Sequence, residues 1–181
     1  MFRHCGAVVI DADQLAQDVV TPGKPAWRAI VKTFGTPILN RDRTINRRAL
    51  GDLVFANRAT LRRLERIIHP RVAREQARLT RQAARKDPKA VVIYDVPLLF
   101  EAGIDKRVDK TIVVTADRAT QIARLRTRNG LTRTEATRRI RHQLPLAEKV
   151  RRADFVLRGT LTPAALRRAV RSVMHTLRSS R

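Results

Sequence analysis

Three unbroken apolar runs constrain this chain more than any other feature. They are AVVI at 7–10, AVVIY at 90–94 and KTIVVT at 110–115. Each is short, rich in β-branched residues and without the polar alternation of a strand that has one wet face. Such runs predict strands covered on both faces, as in a parallel sheet. Between them, apolar residues recur at helical spacing, which predicts helices over 14–20, 26–34, 46–56, 61–68, 71–85, 117–128, 133–142, 147–151 and 162–177. A last short strand is expected at 155–157, and 36–44 reads as a loop or short hairpin. Strands alternating with helices predict an α/β fold with a mainly parallel sheet.

Local signals refine this outline. Asp13 is placed to cap the helix over 14–20. Leu50, Leu53 and Val54 are expected on one inward face, as are Leu61, Leu64 and Ile68. Pro70 predicts a break, because proline pushes His69 out of the α region and suits the first turn of a new helix. Thr162 and Pro163 mark the start of the closing helix.

In open parallel sheets the ligand crevice lies at the carboxyl ends of the strands. Asp11, Asp13, Asp95 and Thr115 all fall just past strand ends, so an acidic cluster is expected at one sheet edge. Taken singly, each has a plainer reading: Asp13 as a helix cap, Asp95 as a strand end meeting solvent.

Composition narrows the classes. With 181 residues, 43% of them hydrophobic, the chain suits one globular unit with a real core. No apolar stretch approaches the roughly 20 residues of a membrane span, and the first residues do not form a signal peptide. A single cysteine cannot form an internal disulfide and fits a reducing cytoplasm. The net charge of +23 admits three readings: nucleic-acid binding, binding of a polyanionic small molecule such as a nucleotide, or arginine-rich solvated faces. The basic residues are spread over many helices, and an aromatic content of 4% leaves few stacking platforms for single strands. Both points weigh against nucleic acid.

Four stretches then stand in series: VIDAD at 9–13, IHP at 68–70, DVPLLFE at 95–101, and a long basic segment from Gln121 to Asp154. The last carries Arg124, Arg128, Arg139, Gln143, Lys149 and Asp154 in an R-x-x-x-R…R-I-x-x-Q…K-x-x-x-A-D pattern. In this order the chain resembles the dephospho-CoA kinases, a P-loop kinase family of the nucleoside-monophosphate-kinase type. The resemblance implies a P-loop kinase-type parallel sheet with flanking helices, comprising 1–35, 88–116 and 152–181. It also implies a helical substrate lobe at 36–87 and a helical lid at 117–151. The implied activity is transfer of the γ-phosphoryl group of ATP to the ribose 3′-hydroxyl of dephospho-CoA, with Mg²⁺, in the last step of coenzyme A synthesis. Asp13 then matches the acid beside the accepting hydroxyl, and Asp95 a metal-linked acid acting through water. Asp11, His69, Pro97, Leu98, Leu99 and Glu101 match the substrate side. Arg124 and Arg128 match phosphate clamps, and Arg139 a catalytic lid arginine.

One departure is large. The family begins with a strand and a G-x-x-x-x-G-K-S/T loop that cradles phosphates. None of the seven glycines here belongs to such a motif, and Gly23-Lys24-Pro25 reads as a turn. Residues 1–5 read as the last turn of the helix after that loop, with Gly6 as its left-handed cap. The first strand and P-loop are thus expected to be missing by amino-terminal truncation, leaving the chain inactive and the VIDAD strand with an unpaired edge. Two alternatives remain: a non-catalytic binder of CoA-like nucleotides, and a basic nucleic-acid-binding protein. A second departure is the 157–160 stretch, about two residues short where the family approaches adenine.

Overall fold

The apolar runs form strands, each beginning one or two residues later than the hydrophobic pattern suggests. A computed structural model describes residues 1–179. Strand β1 (Val8–Asp11) pairs in parallel with β2 (Val92–Asp95), and β3 (Ile112–Thr115) pairs in parallel with β4 (Phe155–Arg158). The parallel α/β architecture is as expected. The single sheet is not: among the described residues the strands form two two-stranded ladders. A sheet grows only where another strand takes up the open edge, and no fifth strand forms among the described residues. β2 pairs along the whole length of β1, from Val8↔Val92 to Asp11↔Asp95, and the other edge of β1 has no strand partner among the described residues, as expected. The chain divides into two units, Ala7–Val96 and residues 1–6 with 97–179.

In the first unit, α1 (Ala12–Val19), α2 (Pro25–Phe34), α3 (Arg47–Phe55) and α4 (Arg58–Lys86) surround buried Ile30, Ile38, Leu50 and Val54. Val20, Phe34, Leu61, Leu64, Ile67 and Ile68 close around them. Leu53, expected beside Leu50 and Val54, is instead exposed, because it falls at the margin of the α3 stripe. The expected hairpin at 36–44 reduces to one antiparallel bridge, Leu39↔Ile45. Trp27 holds the loop there, its Nε1 donating to the Arg43 carbonyl at 2.8 Å.

Pro70 does not break the chain. It lies inside α4, a single helix of 29 residues. Two things carry the helix past it. The apolar stripe Leu61, Leu64, Ile67 and Ile68 packs on the core ahead of the proline. Just after it, the Arg71 guanidinium donates to the Ile67 carbonyl at 2.6 Å, a side-chain tie within the turn whose Arg66 carbonyl gets no donor from Pro70. Tertiary packing here outweighs a local preference against the helix.

In the second unit, α5 (Arg118–Asn129), α6 (Arg133–Arg141), α7 (Leu146–Arg151) and α8 (Pro163–Ser179) accompany β3 and β4. Leu157, Val170 and Val173 form its buried centre, with Phe2, Ile112, Phe155 and Leu166 packed against them. Asp117 caps α5, and a Thr132–Glu135 capping box starts α6. Asp154 ties the start of β4 to β3: it accepts from the Thr111 backbone amide and hydroxyl, both at 2.8 Å, and pairs with Lys110 at 3.1 Å. Residues Phe2–Cys5 form a 3₁₀ turn closed by Gly6 at φ 83°, the left-handed cap that the sequence predicts. Arg178 of α8 donates to the Cys5 carbonyl at 2.8 Å. No helix among the described residues is long and apolar enough to cross a membrane.

Candidate active site

The acidic edge is built by β1 and β2. Asp11 and Asp95 are register partners in a parallel pair, so their side chains leave the ladder on the same side. Because β1 runs to Asp11, the capping position falls there and not at Asp13. Asp11 accepts from the Gln14 amide at 3.0 Å and starts α1. Asp13 sits in the first turn, where a carboxylate complements the helix dipole. Partial desolvation raises the Asp95 carboxyl above the ordinary aspartate value, and the negative charges of Asp11 and Asp13 raise it further. Yet no group of three or more His, Cys, Asp or Glu side chains among the described residues is arranged to hold a metal ion.

Beside this edge α1, α2, α3 and α4 line an open cavity of about 380 Å³. Its wall is apolar: Ala16, Val20, Ile30, Ile45, Leu50 and Ile68. Three polar side chains enter it, Asp13, Gln17 and Arg47. That volume lies within the range of small-molecule sites, which combine an apolar lining with a few placed polar groups. His69 adjoins the lining residue Ile68 along α4, but it is exposed and outside the lining. Gln17 and Arg47 were not legible as site residues. Arg47 is one of 39 lysines and arginines, and nothing in its spacing separates it from the others. Only the packing of four helices around one space does so.

The remaining candidates lie in the second unit. Pro97 and Leu98 are exposed and Leu99 half-buried in the turn after residue 96. Glu101 sits at the centre of a polar node. Its Oε1 pairs with Lys149 Nζ at 2.8 Å and accepts from the Leu144 amide at 2.9 Å, while Lys149 also donates to Gln143 Oε1 at 3.0 Å. Desolvation pushes the Glu101 carboxyl up. The hydrogen bonds from Lys149 and the backbone, with the lysine charge, outweigh it and leave the pKa below the ordinary glutamate value. The Gln143 and Lys149 of the sequence pattern thus converge on Glu101, a link that spacing does not disclose. Arg152 forms a second tie, pairing with Asp105 at 2.7 Å and lying 4.6 Å from the Phe100 ring centroid.

Of the three arginines, Arg124 braces the turn after β4, its guanidinium donating to the Gly159 carbonyl at 2.6 Å. Gly159 in turn donates to the Thr115 carbonyl at 2.7 Å. Arg128 contacts only its neighbour Asn129, at 3.3 Å, among the described residues. Arg139 projects exposed from α6 and makes no hydrogen bond or ion pair among the described residues.

Parallel strands that deliver carboxylates to one edge, with guanidinium-bearing helices in the same chain, define a phosphotransferase of the nucleotide-kinase type. The dephospho-CoA kinase family profile matches residues 1–162. A dephospho-CoA kinase of Geobacter metallireducens is 52% identical over 163 residues, covering 88% of this chain and 80% of its own length. One of Geobacter sulfurreducens is 44% identical, covering 96% and 87%. Among solved structures, a Thermus thermophilus protein superposes with a TM-score of 0.77 at 32% identity, over 97% of this chain and 87% of that one. The dephospho-CoA kinase of Campylobacter jejuni superposes at 0.69 with 26% identity, over 98% and 88%. The chain belongs to the dephospho-CoA kinase family and is a kinase of coenzyme A biosynthesis.

Proposed function

We propose that the cavity beside Asp13 receives the ribose end of dephospho-CoA, whose 3′-hydroxyl takes the γ-phosphoryl group of ATP to give CoA. The observation that carries this is the placement of Asp13. Asp13 lines the cavity, is exposed, and has no hydrogen-bond or ion-pair partner among the described residues. There it accepts the hydroxyl proton, or holds it in line, as the oxygen attacks. Asp11 contributes by capping the helix that carries Asp13. Residues 36–87 serve as the acceptor lobe and 117–151 as the lid, with 1–35, 88–116 and 152–181 as the core.

Arg139 and Arg128 are exposed forks suited to phosphate oxygens, and Arg124 holds the neighbouring turn. His69 is a proposed substrate contact of the first unit and Pro97, Leu98 and Leu99 of the second, and Glu101 holds the Leu144 amide of the proposed lid segment. Mg²⁺ suits Asp95, since this ion keeps its waters and takes one or two carboxylates together with substrate phosphates. The crowding of negative charge that raises the Asp95 pKa is relieved by a cation there. When bound, the ion neutralises charge on the phosphates.

These 181 residues carry no G-x-x-x-x-G-K-S/T cradle. On this reading the chain binds the acceptor, with turnover not expected of these 181 residues alone. Titration calorimetry with dephospho-CoA tests the first statement: binding is expected, and Asp13→Ala weakens it. Folded chain that ignores dephospho-CoA refutes the reading. Formation of CoA from ATP and dephospho-CoA by this chain refutes the second statement.

A further inference from the structure

We propose that Arg47 is the specificity-determining residue of the acceptor site, and that it binds the 5′-diphosphate of the nucleotide whose 3′-hydroxyl faces Asp13. The inference rests on the assignment of this cavity to dephospho-CoA and goes one step further. It names the group that separates a nucleoside diphosphate ester from an uncharged nucleoside.

The cavity has one cation and one anion in its lining, Arg47 and Asp13. A guanidinium and a carboxylate free to meet would form a charge-assisted bond. No ion pair joins them among the described residues, and neither has another partner there. Nor does Gln17, the third polar group of the lining. Five acids have a basic partner among the described residues, Glu75 with Arg78, Glu101 with Lys149, Asp105 with Arg152, Glu148 with Arg151 and Asp154 with Lys110, and Asp13 is not among them. In a chain of charge +23 an aspartate has many available cations. Asp13 and Arg47 thus line one space from α1 and α3, on helices that pack around buried Ile30 and Leu50.

The ligand that satisfies both groups is constrained. It presents a hydroxyl to the carboxylate and an anion to the guanidinium, with an apolar face for Val20, Ile45 and Ile68. A ribose carries its 3′-hydroxyl and 5′-phosphate on carbons two bonds apart, so one sugar serves both ends. The base or the thiol arm can then cover the apolar wall. Arginine suits the phosphate end because its planar fork meets two oxygens at once.

The test is calorimetry of the 181-residue chain with two probes, dephospho-CoA titrated directly and adenosine as a competitor. Adenosine offers the same 3′-hydroxyl and base without phosphates. Arg47→Ala is expected to weaken dephospho-CoA roughly 10- to 100-fold, the worth of a charge-assisted hydrogen bond, while leaving adenosine unchanged. Arg47→Lys restores part of the loss, and salt weakens the wild type more than R47A. Should R47A lose its fold, as read by far-ultraviolet circular dichroism, R47K and R47Q carry the same comparison. Equal dephospho-CoA affinity in wild type and variant overturns the proposal, and so does an equal loss for both probes, which marks a change of cavity shape. The two readings fail differently. If the folded wild type binds no dephospho-CoA, the acceptor assignment itself falls. If wild type binds and D13A weakens it while R47A does not, only the role of Arg47 falls.

Discussion

Removing Glu101 tests whether the node at Lys149 holds the lid segment or merely decorates it. The side chains of Lys149 and Glu101 are 13% and 18% exposed, so their pair lies between two limits. Breaking one side of a fully buried pair costs roughly 3–5 kcal/mol, whereas an exposed pair contributes roughly 0–1 kcal/mol. A cost of about 1–2 kcal/mol follows for the charge alone. Glu101→Ala also strips the acceptor from the Leu144 amide, a further loss of about 1 kcal/mol. Glu101→Gln keeps that acceptor and loses only the charge. Urea unfolding followed by far-ultraviolet circular dichroism gives the stability; Trp27, the sole tryptophan, belongs to the other unit and is the wrong reporter. A double-mutant cycle of E101Q with Lys149→Met should return a coupling of about 1–2 kcal/mol. The Leu144 amide should exchange faster in E101A than in E101Q. The sign with pH is also set. The Glu101 pKa is depressed in the folded chain, so its contribution is complete above the ordinary glutamate range and is lost as pH falls through the folded value. A coupling below about 0.3 kcal/mol, within the scatter of independent sites, or equal exchange of Leu144 in both variants, refutes the node.

Asp154→Ala should destabilise by about 1–3 kcal/mol through loss of the Thr111 and Lys110 contacts, and the gap to wild type in urea should narrow as acid protonates Asp154. Its pKa is depressed chiefly by the Thr111 amide and hydroxyl. Asp95→Asn should act the other way. A carboxyl with a raised folded pKa costs stability once ionised, so the variant gains in thermal melting at neutral pH and loses that gain below the ordinary aspartate range. Gly159→Ala should cost about 1–3 kcal/mol, because an added Cβ would meet Val114 Cγ1 at 2.9 Å and the Thr115 carbonyl at 3.0 Å; an unchanged melting temperature counts against that close approach. Pro70→Ala should stabilise α4 by up to about 3 kcal/mol, and a loss of stability on denaturant unfolding contradicts the reading that the helix tolerates the proline through packing.

The parts of the fold that were legible are those set by neighbours along the chain. A β-branched apolar run favours a parallel strand, so 7–10, 90–94 and 110–115 were readable as strands. The expected cover on both faces was not met, since Val8 and Val114 are 39% and 59% exposed. Caps are equally local: Gly6 was readable as one, and Asp117 and Thr132 with Glu135, which were not read as caps, likewise satisfy groups within three or four residues. The acidic edge followed from strand ends alone. The capping error at Asp13 shows the limit of the same logic, since one residue of extra strand shifts the cap to Asp11.

What tertiary structure decided is whatever depends on groups far apart in sequence. Pro70 stays helical because residues of α4 pack on Ile30, Leu50 and Val54, an energy no local propensity contains. Glu101 serves Lys149 and Leu144 across more than forty positions. Arg47 is a site residue only because α1 and α3 open on one cavity. The sequence by itself determined the strand type and the sheet edge at which the acids gather, since those obey short-range sterics and hydrogen bonding. Which charges meet and which stay apart was left to packing, because close-packed helices fix side-chain separations that spacing cannot express.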